Sequence, residues 1–156
     1  MIVTIDTIIV IKAWLDGEQP HIQVLSLVAA LPHLKYGLDR EGRIDKEYRR
    51  RCSENEFFEK WHKEIWEKVI LIDGRLEKRH TGVLTKCGCH EPSDHVFVAV
   101  AFHTDKYLIT EDSDFGKGHV DRRLAKAAVL NYLEKKLGLT VHDAKEARNH
   151  LSGARP

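Results

Sequence analysis

Short apolar runs alternate with helical patterns along this chain, and that alternation most limits its fold. The run "MIVTID" is β-branched and predicts a buried strand, and "LKYGLD", "KYLIT" and "LTVH" predict three more. Helices are expected over residues 22–31 and over "RIDKEYRRRC", "DRRLAKAAVLNYLEKKLG" and "DAKEARNHL". Strands that alternate with helices favour a parallel sheet covered on both faces. We therefore predict an α/β protein with three α/β/α layers and a central parallel sheet of four to five short strands.

Capping residues predict where two further helices begin. Ser53 and Glu56 form a capping-box pattern. The apolar face of the helix they open is spaced by four and comprises Phe57, Trp61, Ile65 and Val69. Ser93 is expected to cap a helix over residues 94–103.

Three further segments differ in how clearly their patterns predict secondary structure. The segment "DRRLAKAAVLNYLEKKLG" is amphipathic, with Leu130, Leu133 and Leu137 on one face and Gly138 just beyond its end. Residues 75–92 predict a short helix and then a loop around "KCGCHEP". The run "TIIVIKAWLDG" fits either a continued strand or a helix, because periodicity does not separate the two in so short a run.

Length and composition limit the class of protein. The chain of 156 residues fits one domain, which we place at residues 1–152. A net charge of +1 argues against a strongly basic nucleic-acid clamp. We see no signal-peptide pattern and no apolar run long enough to span a bilayer, so we expect no membrane partner. Three cysteines without framework spacing indicate a reducing, cytoplasmic location.

Carboxylates stand at the ends of several predicted elements. Asp6 follows "IVTI", Asp112 and Asp114 follow "YLIT", and Asp94 falls in the first turn of a helix. Ligand sites in open parallel sheets form outside the carboxyl ends of the strands, so neighbouring strands would bring these groups together. Because clustered carboxylates repel and raise one another's pKa, a divalent cation would stabilise them. Oxygen ligands without a matching His/Cys cluster suit Mg²⁺ or Mn²⁺.

Four segments in order, "VTIDT", "IDKEY", "DHVFVAVA" and "LITEDSDF", resemble the PIN-domain nucleases. That family has an Asp after the first strand, a Glu on an early helix, an Asp that opens a helix rich in small apolar residues, and a T-x-D-x-D-F segment after a strand. The resemblance covers most of residues 2–143, although residues 52–92 are longer and more aromatic than in a minimal member.

The resemblance implies a single PIN-like domain and a set of site residues. The catalytic residues it implies are Asp6, Glu47, Asp94 and Asp112. The same four would bind Mg²⁺ or Mn²⁺ with Asp114 as a further ligand, and Thr110 would support them by hydrogen-bonding a carboxylate or a water on the metal.

Each of these assignments has a structural alternative. Asp6 could cap the following helix, Asp94 could be a helix-start acid, and Asp112 could be a turn former. Charged residues near Glu47, namely Asp39, Glu41 and Asp45, are usually a solvated face. We favour Glu47 because "I-x-x-E-Y" places it one helical turn from Ile44 on the inward face.

Three other features compete for a role. "KCGCHE" offers Cys87, Cys89 and His90, with His80 upstream, but structural zinc sites have wider, paired spacing. We predict a metal-free loop with reduced thiols there. "YRRRC" is usually solvated surface, although beside an acidic metal site it could hold phosphates. Trp61 and Trp66 are expected in the core or on a partner surface rather than as platforms for bases.

The expected function is metal-dependent hydrolysis of phosphodiesters. The resemblance implies an endoribonuclease, often of toxin type. It further implies RNA or other single-stranded nucleic acid as substrate, a protein inhibitor or antitoxin as partner, and a homodimer as an assembly to test. A non-catalytic PIN-like module for binding or assembly is the alternative. A phosphatase-like hydrolase is a third reading, which the lack of a "D-x-D" directly after the first strand disfavours.

Overall fold

The computed structural model describes residues 1–118 and 126–153, and a parallel sheet of five short strands lies at its centre. The strands are β1 (Ile2–Ile5), β2 (Lys35–Asp39), β3 (Val69–Ile72), β4 (Tyr107–Ile109) and β5 (Thr140–His142). Their order across the sheet is β3-β2-β1-β4-β5, and every neighbouring pair is parallel. The predicted α/β class with a parallel sheet is confirmed.

Helices complete the three layers of the α/β/α fold. They are α1 (Thr7–Trp14), α2 (Gln19–Ala30), α3 (Arg43–Cys52), α4 (Glu56–Ile65), α5 (Lys78–Cys87), α6 (Pro92–Phe102), α7 (Ala127–Asn131, continued by a π-helix over Tyr132–Lys136) and α8 (Ala144–Ser152). Short 3₁₀ turns cover Trp66–Lys68 and Ser113–Phe115. Within the described residues, none of the helices combines the length and apolarity that crossing a membrane requires.

The strand order creates a topological switch point between β1 and β4. The sheet grows from β1 toward β2 and β3 in the first part of the chain, and from β1 toward β4 and β5 in the second. Connections that leave two adjacent strands in opposite directions open a crevice at their carboxyl ends, which is where ligands bind in open α/β sheets. Asp6 and Thr110 are the residues that directly follow β1 and β4.

Helix α6 gives this crevice a rigid wall. All six residues from Val96 to Ala101 are buried, and the helix packs against β1, β2 and β4. A helix that is apolar all round is stable only inside the protein. The first turn of α6, which carries Asp94, is therefore fixed relative to the strand ends.

The helix predicted from Ser53 is wrong at both ends. Helix α4 begins at Glu56, and its cap is Asn55, whose side chain accepts a hydrogen bond from the Phe58 N–H at 2.9 Å. The buried face comprises Phe58, Trp61 and Ile65, whereas Phe57 is 65% exposed. Val69 belongs to β3, which the sequence pattern missed because its spacing from Ile65 continued the helical repeat.

Other helix ends also differ from expectation. Helix α6 begins at Pro92 after Glu91, so Ser93 lies inside its first turn and does not cap it. The run "TIIVIKAW" is helix α1. In the segment 121–138, residues up to 125 lie outside the described part. The remainder of this segment changes from an α-helix to a π-helix. On the predicted apolar face, Leu133 and Leu137 are buried and Leu130 is partly buried. Gly138, just beyond the helix, has a φ of 72°.

Candidate metal centre

Asp6 and Thr110 join the two strands at the switch point. The Asp6 N–H donates to the carbonyl of Ile109 at 2.9 Å, which extends the β1–β4 pairing by one residue. The Thr110 hydroxyl donates to Asp6 Oδ2 at 2.7 Å and accepts from the Asp112 N–H at 3.0 Å. Asp6 precedes α1, but its side chain makes no capping hydrogen bond. Capping therefore does not account for its carboxylate, which instead accepts the hydrogen bond from Thr110.

Asp94, Asp112 and Asp114 form a compact group of carboxylates. Each can offer one oxygen such that the three oxygens all lie within 4.8 Å of one another. Among residues 1–118 and 126–153, this is the one set of three or more His, Cys, Asp or Glu side chains that meets that distance. The Asp114 N–H donates to Asp112 Oδ1 at 2.9 Å, and fully buried Phe115 anchors the 3₁₀ turn that follows. Asp112 thus shapes a turn and also belongs to the cluster.

Asp6 lies behind this group and is almost completely buried. Its side chain is 4% exposed, and burial is the main reason that its pKa rises from 3.8 to about 8. The hydrogen bond from Thr110 opposes the rise, whereas the charges of Asp112, Asp94 and Glu47 add to it. The Asp6 carboxyl is therefore held in a site where its ionised form lacks compensation.

The pKa values of Asp94 and Asp112, which are partly buried, shift in the same direction. Burial, followed by the charges of Asp112, Asp114 and Glu47, raises the pKa of Asp94 to about 7. Burial also raises the pKa of Asp112, with the charge of Asp114 adding to it. Within the described residues, no Lys or Arg forms an ion pair with any of these carboxylates. The negative charges of Asp6, Asp94 and Asp112 therefore repel one another at one end of the sheet.

Glu47 differs from the other acids on its part of the chain. It lies on α3, and the described residues offer its side chain no hydrogen bond or ion pair, while each neighbouring carboxylate has a partner. Asp39 accepts hydrogen bonds from the N–H groups of Arg43 (2.9 Å) and Ile44 (2.8 Å). Asp45 pairs with His62 at 2.5 Å, and Glu41 pairs with Arg43 at 3.3 Å. Asp39 is 1% exposed, so it is a buried helix cap rather than part of a solvated face.

Helix α3 is held against the strand that carries Asp6. The buried Tyr48 hydroxyl donates to the carbonyl of Ile5, directly before Asp6. Because Glu47 directly precedes Tyr48, this contact fixes the middle turn of α3, which carries Glu47. Glu47 also lines a cavity of about 310 Å³ between α3 and α6.

The cysteine segment lies next to the site without completing a metal group. Cys87 ends helix α5, so the loop begins at Gly88 rather than before Cys87 as predicted. All three cysteines are free thiols. Burial and the charges of Asp94, Asp114 and Asp112 raise the pKa of Cys89 to about 12. Among the described residues, none of the cysteines belongs to a group of three or more side chains close enough to share a metal ion, and the absence of bound zinc here stays a prediction.

Sequence reasoning missed the role of Glu111. Its carboxylate accepts from Lys12 Nζ at 2.9 Å, contacts His21 Nε2 at 2.7 Å and accepts from the Ala144 N–H at 3.1 Å. These contacts join α1, α2 and the start of α8 to the end of β4. Lys12 and His21 are 99 and 90 residues away in the chain, so no local pattern could have indicated the cluster.

The donor set fits a hard divalent cation. It consists of carboxylate oxygens that are close together, partly buried and, among the residues that the structure describes, not ion-paired with any Lys or Arg, which suits Mg²⁺ or Mn²⁺ better than a soft metal. Asp94, Asp112 and Asp114 would hold the ion, with Asp6 and Glu47 beside them. No family model, curated protein or solved structure matches this chain.

Proposed function

We propose that this protein is a metal-dependent phosphodiesterase of the PIN-domain type, most specifically an endoribonuclease that uses Mg²⁺ or Mn²⁺. The observation that carries the proposal is the triad of Asp94, Asp112 and Asp114 oxygens within 4.8 Å, backed by buried Asp6 at a switch point of the sheet. Uncompensated carboxylates destabilise a fold unless a bound ligand uses them. Their position at strand ends is where such ligands bind.

The chain's own residues would bind and orient the reacting groups. Asp94, Asp112 and Asp114 would hold the ion, and Thr110 fixes the carboxylate of Asp6. A bound ion would lower the pKa of a water molecule and stabilise the charge that develops on the phosphate. The raised pKa of Asp94, about 7, also makes its carboxyl able to hold or release a proton near neutral pH whenever the ion is absent.

The resemblance to PIN domains supplies the finer parts of the proposal. RNA or another single-stranded nucleic acid as substrate, a protein inhibitor of antitoxin type and a homodimer rest on that resemblance. A cytoplasmic location is supported by three free thiols, which persist in a reducing compartment.

Cleavage of a nucleic-acid pool tests the function directly. Purified protein is incubated with pooled RNA and with single-stranded DNA in Mn²⁺, in Mg²⁺ or in EDTA. We expect cleavage of RNA with either metal and none with EDTA. Metal-independent cleavage would contradict the proposed site, and no cleavage combined with no stabilisation by Mn²⁺ would favour a non-catalytic binding module. An Asp16→Asn variant is the control for a carboxylate change on the exposed surface.

A further inference from the structure

The cavity beside the acidic cluster combines cationic and apolar groups. Its volume is about 310 Å³, and it lies between α3 and α6. The lining residues are Arg43, Ile44, Lys46, Glu47, Arg50, Ser93, Val96 and Phe97. Glu47 and Ser93 place the cavity directly against the site, since Glu47 raises the pKa of both Asp6 and Asp94 and Ser93 is next to Asp94 in the chain.

Two of the three cations in this cavity have no partner in the described chain. Arg43 pairs with Glu41 at 3.3 Å, whereas Lys46 and Arg50 form no ion pair and no hydrogen bond there. Arg49, on the same helix, pairs with Asp45 at 3.0 Å, whereas Arg51, which lies outside the cavity, has no ion pair among the described residues. Lys46 and Arg50 are therefore available to an anion that enters the cavity.

Helix stability alone does not explain this arrangement. Lys46 and Arg50 are four residues apart, and Arg43 is three residues before Lys46, so three cations share this helical face with a single carboxylate, that of Glu47, and the like charges repel. Arg50 lies in the last turn, where the helix dipole favours a cation, but Lys46 does not gain from that effect. A bound anion would remove the repulsion among them.

The apolar side of the cavity suits a base or a sugar rather than a bare phosphate. Ile44, Val96 and Phe97 line it and belong to the hydrophobic core. A volume near 300 Å³ is at the lower end of the range for small-ligand pockets. A cavity of this volume has room for one base and not for a base pair, so the nucleotide that enters it is expected to be unpaired.

We propose that Lys46, Arg50 and the cavity between α3 and α6 bind the nucleotide next to the cleaved bond, with its phosphate on the two cations and its base against the apolar wall. This inference rests on the proposed function. It assigns to Lys46 and Arg50 a role in holding substrate and none in the chemistry at phosphorus. It also makes an unpaired nucleotide beside the cleaved bond a requirement for cleavage.

The test compares Lys46→Gln and Arg50→Gln with Arg51→Gln. Arg51 is exposed on the same helix and does not line the cavity, so Arg51→Gln is a control that removes the same charge outside the cavity. Steady-state cleavage of a single-stranded oligonucleotide is measured with Mn²⁺, and binding is followed by fluorescence anisotropy in EDTA over a range of salt concentrations. We expect each cavity variant to raise KM about 10-fold with little change in kcat. The salt dependence of log Kd should fall by about 0.7 per lost phosphate contact, the value typical of single strands.

A modified substrate provides the second measurement. Scanning an abasic nucleotide through the substrate should raise KM at one position beside the cut, and pairing the same sequence into a duplex should abolish cleavage. If the wild type cleaves but the cavity variants keep its KM and its salt dependence, the inference fails and the proposed function stands. If the wild type neither cleaves nor binds the oligonucleotide, the proposed function fails and this inference fails with it.

Discussion

Glu111 and Asp112 are neighbours in the chain at the end of β4, yet their carboxylates have opposite surroundings. Burial alone would raise the pKa of Glu111, but hydrogen bonds from His21, Lys12 and the Ala144 N–H lower it to about 2. Within the part of the chain that the structure describes, Asp112 has only the Asp114 N–H to offset burial, and its pKa rises. The same strand end therefore carries one carboxylate that is compensated and one that is not.

We propose that this difference separates a structural role for Glu111 from a ligand-binding role for Asp112. Glu111 joins three helices to the sheet through hydrogen-bond donors that the chain itself supplies, one of them the cation Lys12, so it needs no ligand. Asp112 faces Asp94 and Asp114 across distances below 4.8 Å with no such cation in the described residues. A fold keeps uncompensated carboxylates in one place only at a cost in stability. That cost is the physical reason to assign ligand binding to the Asp112 side.

The largest expected effect is on activity at the uncompensated side. Asp94→Asn and Asp112→Asn keep the size of the side chain but remove a charge that would hold the metal. We expect each to lower metal-dependent cleavage by about 1,000-fold, equivalent to ~4 kcal/mol in the barrier. Neither should lower the melting temperature in EDTA, because each removes a repelling charge. Wild-type rates in both variants would show that these carboxylates are not the catalytic site.

The second expected effect is a fall in stability of the metal-free protein as pH rises. The pKa values of Asp6 and Asp94, about 8 and about 7, are above the 3.8 of an unfolded chain, so the folded protein retains protons that the unfolded chain releases. Their contribution is complete below about pH 4 and is lost as pH rises through 8. We expect a loss on the order of 3 kcal/mol between pH 5 and pH 8 in EDTA.

Urea unfolding at each pH measures this loss. Saturating Mn²⁺ should remove it, since the ion binds the deprotonated carboxylates, and Asp6→Asn should flatten the pH dependence without metal. Glu111 acts in the opposite sense. Its lowered pKa contributes stability above about pH 4.5 that is lost as pH falls toward 2. A metal-free protein that is more stable at pH 8 than at pH 5 would contradict the uncompensated cluster.

The third effect is on stability at the compensated side. Glu111→Gln removes the charge shared by Lys12 and His21, whose side chains are 29% and 6% exposed. Because hydrogen bonds to charged groups are worth about 1.5–3 kcal/mol, we expect the variant to lose about 2 kcal/mol of stability at pH 7. Urea unfolding in EDTA, with Asp112→Asn in parallel, checks the contrast. If Glu111→Gln and Asp112→Asn were equally stable, the distinction between the compensated carboxylate of Glu111 and the uncompensated one of Asp112 would be lost.

The sequence predicted the carboxylates of the Asp112 cluster but not the structural role of Glu111. Asp6, Asp94 and Asp112 were found because strand ends and helix starts are local features, and parallel strands bring their carboxyl ends to one edge. The partners of Glu111 are brought together only by the folded chain, over 90 residues or more. The uncompensated state of the cluster likewise depends on where every lysine and arginine lies.

The same limit explains the errors in the fold. The cap of α4 was assigned to Ser53 because both Ser53 and Asn55 are suitable residues, and only the hydrogen bond to the Phe58 N–H selects Asn55. Strand β3 was missed because Val69 continued a four-residue spacing, and the helix in fact ends in a 3₁₀ turn before it. Local patterns predict the type of an element better than its boundaries.

The smallest expected effect distinguishes the members of the triad. The Asp112 carboxylate accepts a hydrogen bond from the Asp114 N–H, and this turn orients the Asp114 side chain. The position of Asp114 therefore depends on Asp112, whereas the Asp114 carboxylate makes no hydrogen bond that positions Asp112 in the described residues. We therefore expect Asp114→Asn to lower cleavage by only about 10-fold, ~1.4 kcal/mol in the barrier. Glu41→Gln, which changes an exposed carboxylate paired with Arg43, should stay within about 2-fold of the wild type. Cleavage rates over a range of Mn²⁺ concentrations separate weaker metal binding from slower chemistry. An Asp114→Asn loss as large as that of Asp94→Asn would make all three carboxylates equivalent ligands and end the ranking within the cluster.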